Sequence, residues 1–159
     1  MGNPAKAVPL QNIAWSRVVP RWSWWALVPF ALLCAAIAVP YLLAHGFLAI
    51  GVALERGFAI VCHQRPERSF WILGGSVAVC SRCLGIYLGA AIGPLFRTSR
   101  AIALRLLIAA VALNLLDAAS EVAELHGNWL GVRFALGFVL GVTGALLISS
   151  STHATYHSP

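Results

Sequence analysis

Long apolar runs separated by short polar breaks set the pattern of this chain. Residues 24–44 contain no charged side chain. A helix crosses the hydrocarbon core of a bilayer with about 20 apolar residues, so this run predicts a first span. Trp22, Trp24 and Trp25 give it an aromatic anchor at one interface and Tyr41 at the other. Pro29 and Pro40 are positions where it can kink. Residues 84–96 predict a second span whose helix starts near Cys80; it is short, which implies local thinning of the bilayer or a recessed start. Residues 102–118 and 132–149 predict the third and fourth. Residues 47–61 are apolar but short, and Glu55-Arg56 breaks them, so a half-buried or interfacial helix is expected there. A crossing at 47–61 would invert everything downstream. The expected fold class is all-α: a polytopic membrane helix bundle of about four transmembrane helices plus one partial or interfacial helix.

Composition sharpens this reading. Of 159 residues, 60% are hydrophobic and 10% charged, against roughly 25% charged in soluble domains. No length remains for a separate soluble domain beside the spans. The organisation expected is a cytoplasmic N-terminal segment at 1–23, a bundle at 24–149 with an outward-facing Cys/His loop at 62–83, and a disordered tail at 150–159. The first apolar run is long for a signal-peptide core of about 7–15 residues. Cys34 follows Leu33, where lipoprotein processing needs a small residue, so Cys34 reads as an apolar filler.

The net charge of +6 adds orientation. Lys6, Arg17 and Arg21 precede the first span, and Arg97, Arg100 and Arg105 bracket the connection between the second and third. Both groups belong in the cytoplasm by the positive-inside rule, which expects a plasma (inner) membrane protein with a cytoplasmic N-terminus. Arg56, Arg65, Arg68 and Arg82 then fall on the outer side and count against this orientation unless a site holds them. The basic residues form no run with interleaved aromatics, so nucleic acid is not an expected partner and membrane lipids are. Gly85, Gly89 and Gly93 repeat at four-residue spacing, as do Gly137 and Gly141, with Gly144 one turn on; small residues on one face let membrane helices approach closely.

Candidate chemistry concentrates at Cys62, His63, Cys80 and Cys83. Three thiolates and an imidazole, one pair at CxxC spacing, can complete a tetrahedral zinc shell. Side chains of adjacent residues diverge, so His63 is either the fourth ligand or a close neighbour acting as a base. Two other readings stay open: a thiol–disulfide couple in which Arg82 lowers a thiolate pKa, and inert cysteines. Asn114, Asp117, Glu121 and Glu124 share one helical face. An ionisable residue in or beside a span defaults to a functional role, so Asp117 and Glu121 join His63 as catalytic candidates. Arg65, Arg68, Arg82 and Arg133 are candidates to bind an anionic or lipid-linked substrate. Arg133 either anchors the last span or pairs with Asp117.

In the four-span topology these residues, with His126 and Asn128, share one membrane face. A metal beside carboxylates can activate water, which would make the protein a metalloenzyme. A transporter or assembly subunit, with Asp117 and the arginines lining a polar path, is a further alternative; four spans without an internal repeat are few for a transporter unless it forms a homo-oligomer. His153 and His157 lie in the polar tail and read as solvated. There is no CxxCH, phosphate-binding glycine loop or HExxH helix.

Two motifs carry a family resemblance. Cys-His-Gln-x-Pro-Glu-Arg-Ser-Phe at 62–70, followed by Cys-x-Arg-Cys-x-Gly-Ile-Tyr-x-Gly at 80–89, resembles the small prokaryotic membrane proteins called domain of unknown function 2085. Asp117 and the Asn128, Arg133, Gly137, Gly141 pattern are similar to that family's C-terminal half, so the resemblance covers roughly residues 40–148. It implies a polytopic membrane protein with a Cys/His motif and supplies no activity. The chain departs from the pattern at Ala118, where glycine is expected after Asp117.

Overall fold

An apolar run in lipid must satisfy its own backbone hydrogen bonds, and helix is the local way to do it. The computed structural model describes residues 24–124 and 127–154, with the side chains of 151–154 outside that description. The described chain is helical apart from loops and one small hairpin. Its helices are α1 (Leu27–Ala44), α2 (Leu48–Ala59), α3 (Ser81–Ile92), α4 (Arg100–Val122) and α5 (Leu130–Ala154). The two-residue strands β1 (Trp71–Ile72) and β2 (Gly75–Ser76) pair antiparallel between α2 and α3. The expected cytoplasmic segment at 1–23, His126 and positions 155–159 lie outside the described residues. α5 runs on through Ala154, past the start expected for a tail.

Among the described residues, three helices are long and apolar enough to cross a membrane: Trp24–Ala44, Arg100–Val122 and Leu130–Ser150. The sequence pattern predicts a fourth, at 84–96. The difference lies in α3, whose 12 residues rise only about 18 Å against a core of about 30 Å. Gly93-Pro94 then tightens the chain into a 3-10 turn, Gly93–Leu95, and ends the helix. α2 is equally short, at 12 residues. The chain reverses between α1 and α2 at Gly46, whose φ of +83° suits glycine. The Gly46 N–H donates to the Leu43 carbonyl and the Phe47 N–H to the Leu42 carbonyl, the paired bonds of a Schellman stop.

The outer faces of α1 and α4 carry exposed Val28, Phe30, Leu106, Ile108 and Leu116, among others. Soluble monomers rarely expose apolar patches of that extent. Inside, α3 packs on α5 backbone to backbone. A Cβ at Gly85 or Gly89 would lie closer than 3.0 Å to the Phe134 or Phe138 carbonyl, and one at Gly137 or Gly141 would strike the carbonyl of Arg82 or Ile86. Gly93 continues the seam against Ala145. Gly144 does not: nothing lies within 4 Å of its Cβ position, so it leaves the stripe expected of it. α4 joins α5 through buried Asn114, whose Nδ2 donates to the Ala110 carbonyl at 2.9 Å and across to the Leu136 carbonyl at 3.1 Å.

The loop between α2 and α3 is fastened to α1 by a consequence of Pro40. Proline has no N–H, so the Ala36 carbonyl loses its usual partner four residues on. The Ala78 N–H supplies one, at 3.3 Å. Gly75 packs against the Pro40 ring at the same place. Val77, Ala78, Val79 and Cys62 are thereby buried with Leu33, Ala36 and Val39 of α1 and Leu84 of α3.

Candidate functional site

Three short devices shape the loop that carries the cysteines. First, the chain leaves α2 through one more turn, in which the Cys62 N–H donates to the Phe58 carbonyl at 2.9 Å. Second, Gln64 turns the chain with a φ of +45°, a left-handed conformation unfavourable for a side chain of that size. Its Nε2 holds it there, donating to the Glu55 carbonyl at 2.6 Å and the Ala78 carbonyl at 2.8 Å, so one amide ties both ends of the loop. Third, the hairpin closes through Leu73 and Gly74, both at positive φ, as a type I′ turn requires.

Cys80 then stands at the N-cap of α3 and Cys83 one turn inside it. The Cys80 N–H donates to the Cys62 sulfur at 3.2 Å. The sulfurs of Cys62, Cys80 and Cys83 all lie within 4.8 Å of one another. Sulfurs tetrahedrally arranged at about 2.3 Å from a zinc ion would be about 3.8 Å apart, so the cluster fits such an ion with little adjustment. Hydrogen bonds from the thiols of Cys80 and Cys83 hold the Cys62 thiol far below its ordinary pKa. A lowered pKa favours the thiolate, the form in which cysteine binds a metal. Cys62 is buried, and the other two are half-buried. His63, expected as fourth ligand or neighbouring base, is exposed and outside this set of three. Cys34 is exposed on α1 and also outside the set.

The polar face of α4 meets the same loop. Arg82, between the CxxC cysteines, donates from Nη2 to the Asp117 carboxylate. One turn on, Glu121 pairs with Arg68 of the loop at 2.7 Å and with Arg133 of α5. The sequence reading allowed Arg133 to pair with Asp117; the ion pair seen is with Glu121. Asn128 Nδ2 donates to the Glu67 carbonyl, closing the α4–α5 connection onto the loop. The structure thus brings together Arg68, Arg82, Arg133, Asp117 and Glu121 at one end of the bundle. Arg65 and Glu124 are exposed, and Arg65 contributes its carbonyl, which accepts from Ser69 Oγ at 3.1 Å. Asn114 serves helix packing. Sequence reasoning missed Gln64, Pro40 and buried Ser69 as builders of the site. The signal available for Gln64 was its place directly after Cys62-His63.

A helical membrane protein whose short polar loop gathers three cysteines over an arginine–carboxylate network is the class that fold and site define. Within that class the chain belongs to the family described as predicted membrane protein, domain of unknown function 2085, which matches residues 62–147. The match begins at Cys62 and takes in every residue of the cluster and the network. An uncharacterized protein of Methanocaldococcus jannaschii is 33% identical over 101 residues, covering 59% of this chain and 65% of that protein. The chain thus spans about two thirds of the length of that relative. An uncharacterized protein of Methanothermobacter thermautotrophicus is 32% identical over 107 residues, covering 63% of this chain and 95% of that protein. No solved structure matches the chain.

Proposed function

We propose that this protein is a membrane metalloprotein that holds a zinc ion through Cys62, Cys80 and Cys83, with the fourth position open to water, His63 or a bound ligand. The observation that carries the reading is the mutual approach of the three sulfurs, within 4.8 Å, on a loop in which the Cys80 N–H donates to the Cys62 sulfur. The reading is one of binding rather than catalysis, because Asp117 and Glu121, the expected acid–base carboxylates, are both committed to guanidinium groups. We place the protein in the plasma membrane with its N-terminus cytoplasmic. Exposed Arg97, Arg100 and Arg105 lie at the opposite end of α3 and α4 from the cysteine loop, which supports that orientation. Labelling of a Leu73→Cys variant by an impermeant maleimide from the outer side only is the expected result; labelling from the inner side only would reverse the orientation.

The test of the metal is elemental analysis of detergent-purified protein prepared under reducing, low-metal conditions and reloaded with zinc. Stoichiometric zinc in the wild type and its loss in Cys83→Ser is the expected result. Wild-type protein that holds no metal, and whose cysteines resist alkylation until reduced, would replace this reading with a thiol–disulfide couple.

A further inference from the structure

The arginine–carboxylate network beside the cysteines is unbalanced. Three guanidinium groups (Arg68, Arg82 and Arg133) meet two carboxylates (Asp117 and Glu121), leaving one positive charge over. The network runs from the surface into the bundle. Side-chain exposure falls from 34% at Arg68 through 25% at Arg82 to 4% at Arg133. Among the described residues, the buried Nε–H groups of Arg82 and Arg133 have no hydrogen-bond partner. A buried guanidinium with an idle donor is costly to keep unless something else satisfies it.

From these observations we infer that Arg68, Arg82 and Arg133 bind an oxyanion of phosphate type. Guanidinium groups present paired, planar donors that match the oxygens of such a group, and one excess charge favours an anion over a neutral ligand. Arg68 is the most exposed of the three and lies three residues before the hairpin. There Trp71 and Leu73 are exposed, and Trp71 Nε1 donates to the Pro66 carbonyl at 3.2 Å. An exposed Trp beside an arginine is what the headgroup layer of a membrane accommodates. The same chemistry is therefore offered to a lipid phosphate and to free phosphate. This site stands apart from the metal reading, since none of its side chains is a sulfur ligand.

The experiment uses full-length protein in dodecyl maltoside, with thermal unfolding followed by tryptophan fluorescence. Sodium phosphate is titrated against sodium chloride of equal ionic strength, and phosphatidylglycerol is added to a parallel set of micelles. A saturable rise in midpoint with phosphate, beyond that with chloride, identifies a site open to free anion. A rise with phosphatidylglycerol alone identifies a lipid headgroup site. Either effect should weaken at least about tenfold in apparent affinity in Arg133→Gln and in the half-exposed Arg68→Gln. Arg65→Gln, outside the network, should bind as the wild type does. Cys83→Ser, if folded, should keep the anion effect, so that loss of the metal and loss of the anion are read separately. No rise with either phosphate source, or an undiminished rise in both Arg68→Gln and Arg133→Gln, would overturn the inference.

Discussion

Two alanine substitutions separate helix packing from helix propensity in this bundle. At Gly89 of α3 the added Cβ would meet the Phe138 carbonyl carbon at 3.0 Å and Val142 N at 2.8 Å, with the Phe138 oxygen nearer still. Ordinary contact begins at 3.4 Å, so α3 and α5 must part by more than half an ångström. The obstructing atoms are backbone, and no rotamer change can remove them. Overpacking of this kind costs about 1–3 kcal/mol, and a backbone obstacle belongs to the upper half of that range. Gly→Ala in a helix interior opposes it by about 1 kcal/mol of propensity. At Gly144 nothing lies within 4 Å of the new methyl, so only the propensity gain remains. Subtracting one variant from the other cancels that gain and leaves the packing cost, about 2–3 kcal/mol. For a chain of this size that is a gap in unfolding midpoint on the order of 5–10 °C. Tryptophan-detected thermal unfolding in micelles measures it, with Gly144→Ala at or above the wild type and Gly89→Ala below. Equal midpoints for the two variants would refute the backbone-contact seam between α3 and α5.

Other consequences are as direct. Pro40→Ala restores an N–H that the Ala36 carbonyl can accept in place of the Ala78 N–H; amide hydrogen exchange should slow in α1 and quicken at 77–79. Gln64→Ala removes two hydrogen bonds, each worth about 0.5–1.5 kcal/mol. On the proposed metal reading, zinc should then pass to a chelator roughly tenfold faster, and Gln64→Gly, free to adopt the left-handed turn, should lose zinc less quickly than the alanine variant. Glu121→Gln leaves Arg133 buried without its carboxylate, so stability should fall by about 3–5 kcal/mol. An unchanged unfolding midpoint would show that Arg133 does not depend on that partner.

What could be read from the sequence was set by composition over long windows and by side-chain type. Apolar length alone locates α1, α4 and α5, because the bilayer fixes how much chain a crossing needs. The four-residue step from Asp117 to Glu121 and the CxxC spacing place chemistry on helix faces without any tertiary knowledge. The second predicted crossing is not among the three helices long enough to span, because a local signal outweighed by hydropathy, Gly93-Pro94, stops α3 after twelve residues. The glycine stripe of α5 illustrates a subtler limit. Steps of three and four residues both keep to one helical face, so Gly144 looked equivalent to the position after it. Close packing selects the strict four-residue row, Gly137, Gly141 and Ala145, because those are the positions α3 meets.

The parts that sequence could not supply are backbone approaches, and Arg82 joins both kinds in one residue. Its guanidinium type and its place inside CxxC mark it as a candidate for binding. Its carbonyl, pressed on Gly137, and its choice of Asp117 rather than Glu121 arise only when α3 lies along α5 and the loop folds back over α4. The ion-pair partners follow from that seam: with Gly137 and Gly89 open, α3 is near enough to α5 for a loop arginine and a helix arginine to share Glu121. The small residues therefore do more than pack helices. By setting how closely α3 approaches α5 they fix where Cys80, Arg82 and Cys83 sit, and any substitution that widens the seam should loosen the sulfur cluster and the ion pairs together.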